Sequence, residues 1–158
     1  MRPEIDKGAG MGAWGMRAFD NDAVLDAVPE LSDRAGVIAS LMAVHDPAQD
    51  THVADVAFGA VEVIAAARMG VEGYQSESTT LFAHAGGGED EPIPYLPDEL
   101  AAFISSGRAV FSDDEVRQAL LALAAIERTD AERQWDEPAA RREAIAQTRA
   151  RLMHALIG

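Results

Sequence analysis

With 158 residues, 48% of them hydrophobic, the chain lies in the usual single-domain range and can bury a core, which excludes a wholly disordered protein. It has no cysteine, which excludes disulfides, thiolate catalysis and cysteine-based zinc sites together and fits a reducing compartment. The formal net charge is −14, and it is one-sided: residues 1–107 carry 18 acidic side chains against 5 Lys and Arg, whereas residues 108–158 carry 9 against 8. A field of that sign repels nucleic acid and anionic membranes and favours a basic partner, although acid also simply keeps a protein soluble.

Residues 1–10 show no periodicity and read as a loose N-terminal extension to a single helical domain over 11–158, with Met11 a candidate start. Arg2 and Lys7 precede no apolar h-region, and the longest apolar segment, Val56 to Ala67, is interrupted by Glu62 and too short to span a bilayer, so the expectation is a cytoplasmic protein. Asp20 is placed as an N-cap, with Asp22 adding negative charge to the first turn that follows. Pro29 forbids an unbroken helix, so a kink or restart is expected there, with Ser32 or Asp33 capping the continuation through Val37, Ile38, Leu41 and Met42. Asp46-Pro47 ends that element.

From about 52 to 69 apolar residues recur at Val53, Val56, Ala60, Val63, Ile64 and Ala67, with Phe58, Val61 and Ala65 filling other sides. A helix apolar nearly all round belongs at the centre of a bundle, and Gly70 stands where a glycine would close it. Residues 71–96 break the pattern with a Gly-Gly-Gly run at 86–88 and the acidic Glu89-Asp90-Glu91, with Pro92, Pro94 and Pro97 stiffening the exit, and read as a long loop. A short helix follows from Asp98, stopped by Gly107. Ser112-Asp113-Asp114-Glu115 has the form of a capping box, opening a helix with Val116, Leu120 and Leu123 at heptad-like spacing. Pro138 starts the last helix, whose inner stripe is Ile145, Leu152 and Leu156, bordered by Arg141, Arg142 and Arg149. The fold class expected is all-α, five or six helices around the central one.

Candidate chemistry is sparse. The glycines at 8–12 and 86–88 lack the strand and the Lys-Ser/Thr of a phosphate loop. Asp20-Asn21-Asp22 resembles the start of a calcium loop, but Leu25 and Leu31 stand where its glycine and glutamate are needed. His45, Asp46, Asp50, His52 and Asp55 cluster around one helix connection, and His45, His52 and Asp55 are the metal candidates, against turn and cap roles. Glu62 sits in the most apolar helix, on the side of Asp55. It is expected to be partly exposed or paired, with Arg17 or Arg68 as partner. No nucleophile elbow or Ser/His/Asp order stands out, so no catalytic residue and no cofactor is assigned.

The run Gly12-Ala13-Trp14-Gly15, then Phe19-Asp20-Asn21-Asp22, resembles the opening of a bacterial family catalogued as domain of unknown function 4259. Ala60-Val61-Glu62-Val63-Ile64 is similar to that family's central helix with its embedded glutamate, and Leu96-Pro97-Asp98-Glu99-Leu100 to its Leu-Pro-x-Glu-Leu helix start. The resemblance covers most of 11–135 and implies a small, mostly helical bacterial protein with no established activity. Within it Trp14, Gly15, Phe19, Asp20, Asn21, Asp22 and Glu62 are expected to be structural, Trp14 and Phe19 as anchors on the central helix.

The function expected is a small acidic interaction protein, of the immunity or antitoxin-like kind, that binds a basic protein partner through Glu89, Asp90, Glu91, Asp46 and Asp50. The alternatives are a small metal-dependent hydrolase or other enzyme built on Glu62, Asp55 and the His45/His52 region, and a homo-oligomeric structural module.

Overall fold

A computed structural model describes residues 22–46, 51–70, 96–131, 133 and 138–157. Among the described residues there are seven helices and no strand: α1 (Asp22–Asp26), α2 (Val28–Leu31), α3 (Arg34–Ala43), α4 (Thr51–Met69), α5 (Asp98–Ser105), α6 (Asp113–Asp130) and α7 (Pro138–Ile157). The all-α expectation holds. Glu89, Asp90, Glu91, Asp50 and the opening motif at Trp14, Gly15, Phe19, Asp20 and Asn21 lie outside the described residues.

The chain breaks where its residues require it. Proline has no N–H to give and is tolerated in a first turn, and Pro29 sits in the first turn of α2, so α1 and α2 are separate pieces. Asp33, with extended backbone, accepts the Gly36 N–H at 3.3 Å and opens α3, the second of the two caps expected there. Gly36 is needed for a close approach: a Cβ there would lie 2.0 Å from the carbonyl oxygen of Glu30, so α2 folds back onto α3 only over a bare backbone. Gly70 (φ +89°) and Gly107 (φ +87°) end α4 and the turn after α5 in the left-handed region that glycine adopts without strain.

Helix α4 is the axis of the bundle, in contact with each of the other six helices. Every residue from Ala54 to Ala66 is buried except Val56, which is partly buried. Ala57, Gly59, Ala60, Ala65 and Ala66 are small enough to let neighbouring helices approach closely, while Phe58 and Ile64 fill the spaces between them. Around α4 gather Val24, Leu31, Val37 and Leu41 from α1–α3, Leu100 and Phe103 from α5, and Val116, Leu123 and Ile126 from α6.

Two features position α6. Its capping box forms as its sequence predicts, with the Glu115 N–H donating to Ser112 Oγ at 3.2 Å and the Ser112 N–H donating to Glu115 Oε1 at 2.9 Å. The connection before it is tied from both sides: Arg34 donates from Nε to the Val110 carbonyl at 3.0 Å, and Arg68 from Nη1 to the Phe111 carbonyl at 3.0 Å. Arg34 also bonds Glu115 and lies over the Phe111 ring, 5.6 Å from its centroid.

Candidate functional site

Among the described residues the buried charge lies along the seam between α4 and α7. Asp55, Phe58 and Glu62 fall on one face of α4 at helical spacing, and Arg141, Ile145, Thr148, Arg151 and Leu152 on one face of α7. At the centre, Glu62 is 1% exposed and Thr148 0%. The Thr148 hydroxyl donates to Glu62 Oε2 and also lies 3.0 Å from its own helix's Ala144 carbonyl, so one hydroxyl proton serves two acceptors. Arg151 Nη1 stands 3.4 and 3.5 Å from the two Glu62 oxygens. Leucines cannot fix how far one helix slides along another as narrowly as this triad does, because dispersion is non-directional and hydrogen bonds are not.

Toward the other end of the seam a second group forms. Arg133, just past α6, donates to Asp55 Oδ1 at 2.8 Å and approaches Oδ2 at 3.5 Å. It is also 3.8 Å from Asp130, whose Oδ2 accepts from Arg141 Nε at 2.6 Å. The Arg141 guanidinium in turn lies over the Phe58 ring, 4.5 Å from its centroid. Asp55, Arg133, Asp130 and Arg141 thus form one chain of alternating charge, the arrangement in which buried charges persist.

These placements decide one expectation and revise two. Of the two alternatives for Glu62, partly exposed or paired, the structure has the paired one: the side chain is buried, because α7 covers the side of α4 that a helical projection leaves open. Among the described residues its cation is Arg151, while Arg68 is committed elsewhere, to the Phe111 and Ala155 carbonyls and to Asp113 at 2.8 Å. Arg17 lies outside the described residues. Arg141 does not border the inner stripe of α7 but is part of it, 4% exposed. Of the metal candidates, His45 and His52 are exposed while Asp55 is buried and bound by Arg133. Among the described residues no group of three His, Asp or Glu side chains is placed to hold an ion.

Thr148, Arg151, Arg133 and Asp130 are not on the sequence-derived roster. One signal could have found two of them: Arg141, Thr148 and Arg151 share the stripe of Ile145 and Leu152, and polar residues repeating on an apolar face call for partners. The seam is closed to solvent at Glu62, whose carboxyl fastens α7 to α4.

The exposed acid gathers elsewhere. Asp26, Glu30, Asp33, Asp98 and Glu99 are all exposed, and the Ser32 hydroxyl, 3.2 Å from Glu99 Oε2, joins the α2–α3 turn to the first turn of α5. Asp46, at the end of α3, is exposed as well and is the described member of the acidic set expected to meet a partner.

The family model described as Domain of unknown function (DUF4259) matches residues 12–147, and the chain belongs to that family. Comparison with the curated proteins and with the solved structures finds no match.

Proposed function

We propose that this chain is a bacterial, cytoplasmic interaction protein that captures a basic protein partner, in the manner of an immunity protein or antitoxin. The observation that carries this reading is the division of its carboxylates: those in the interior are bound by arginines, while Asp26, Glu30, Asp33, Asp98 and Glu99 stand exposed around the α2–α3 turn and the start of α5. A surface of one sign steers an oppositely charged partner and speeds its encounter, and the effect fades as salt screens it. The chain's imbalance of 27 acidic residues against 13 Lys and Arg extends that field beyond the patch itself.

The test is co-purification from the native host, followed by association kinetics with the recovered partner at low and high salt. A basic protein should bind, and its association rate should fall by about tenfold or more as salt rises. The variant Glu30→Gln/Asp98→Asn, which alters exposed side chains only, should slow association at low salt and leave melting unchanged. A partner whose binding ignores both salt and these two charges would overturn the proposal, as would recovery of no partner.

A further inference from the structure

We infer that the groove where α4 and α7 end is a binding site for a small anionic ligand, one phosphate or carboxylate group carried on a short apolar body. The groove has a volume of about 430 Å³ and is lined by Arg68, Met69, Arg151, His154 and Ala155. That volume is within the range of small-molecule sites. Its described lining includes two guanidiniums, an imidazole and no carboxylate, in a chain whose acidic residues outnumber its Lys and Arg by 27 to 13. The anions that belong to these arginines, Asp113 and Glu62, are not part of that lining and hold the two cations in place.

Hydrogen-bond capacity decides between a structural clamp and a site. A guanidinium has five N–H donors. Arg68 makes three bonds among the described residues, from Nη1 to the Phe111 carbonyl and from Nη2 to Asp113 and to the Ala155 carbonyl. Its Nε–H and one Nη1–H are left over, on a side chain 24% exposed. The clamp is therefore real but uses only part of the group. His154 is exposed and forms no hydrogen bond or ion pair among the described residues, so its ring is available to the groove it lines. The C-terminal ends of α4 and α7 oppose an anion by their dipoles, which the Arg68 bond to Ala155 offsets in part. The anionic group is thereby directed to the Arg68 and His154 side, with Met69 and Ala155 left to meet apolar atoms.

The experiment is an NMR titration of the full chain with inorganic phosphate and, separately, with citrate, each against sodium chloride at matched ionic strength. Saturable shifts are expected at the amides of Met69, Gly70, His154 and Ala155 with at least one of the two anions, and whichever gives them identifies the headgroup. His154→Ala should weaken that binding about tenfold, the loss of one charge-assisted hydrogen bond, while His45→Ala, an exposed histidine outside the groove, should leave it unchanged. Absence of saturable shifts with both anions overturns the inference. So does equal affinity in His154→Ala, which would mean that the anion binds elsewhere.

Discussion

Helices α6 and α7 dock on the same central helix by opposite means. The interior of α6 is Val116, Ala119, Ala122, Leu123, Ala125 and Ile126, with no charged group buried between its ends. The face of α7 alternates Arg141, Ala144, Ile145, Thr148, Arg151 and Leu152 against Asp55 and Glu62. Apolar docking supplies stability in proportion to area and tolerates small shifts. Ionic docking supplies little net stability once desolvation is counted, but it penalises every register except one. The difference teaches that α6 makes the core and α7 is set on it in a fixed position.

The comparison is sharpest where the ionic side is broken on one partner only. Arg151→Met takes the Arg151 guanidinium away from the buried Glu62 and should cost about 3–5 kcal/mol in denaturant unfolding. Replacing the triad together, Glu62→Leu/Thr148→Val/Arg151→Met, should recover most of that loss while broadening the NMR signals of α7 as its register loosens. A triple variant as unstable as the single one would end the distinction between the two modes of docking. On the apolar side, Leu123→Ala removes a fully buried side chain and should cost about 2–5 kcal/mol, with no partner substitution able to restore it.

Smaller effects test how α6 is held at its start. Ser112→Ala removes the hydroxyl that accepts the Glu115 N–H and should cost about 1 kcal/mol by thermal or denaturant melting. Glu115 supplies the pH dependence. Burial pushes its carboxyl up, but the Ser112 N–H and the Arg34 guanidinium outweigh that and hold it below the ordinary 4.5. Its contribution is therefore complete above pH 4.5 and is lost as pH falls through the lower folded value. Glu115→Gln should melt below the wild type near neutrality, with the gap closing in acid. A gap that stays constant down to the acid limb would remove the charge from the account and leave only the cap.

What could be read in the sequence was what depends on near neighbours. The Ser112–Glu115 box, the Asp33 cap, the restart at Pro29 and the glycine ends at 70 and 107 each involve groups within a few residues of one another. The central position of α4 was also legible, since a helix with Val56, Phe58, Val61, Ile64 and Ala65 on all sides has no face to give to water. The partners of Glu62 were not. A helical projection tells which side a residue occupies and not what covers that side, and Thr148 and Arg151 arrive from 86 and 89 residues away. Arg68 was the nearer cation along the helix, but its length carries it to the start of α6 instead.

The spacing of those pairs along the chain also orders the folding of the molecule in time. Asp130 and Arg141 are 11 residues apart, and Glu127 and Arg149 are 22, so the α6–α7 hairpin closes over short loops and loses little chain entropy. Glu62 and Arg151 enclose 89 residues of separation and can meet only after that hairpin has reached α4. Changes at Asp130 or Arg141 should therefore slow refolding, whereas Arg151→Met should act mainly by hastening unfolding. A stopped-flow chevron that shows Arg151→Met slowing the folding limb would place the seam in the nucleus instead. The ion pair that sets the register of α7 is, on this ordering, the last contact made and the first released, so it governs how long a folded molecule lasts more than how fast one forms.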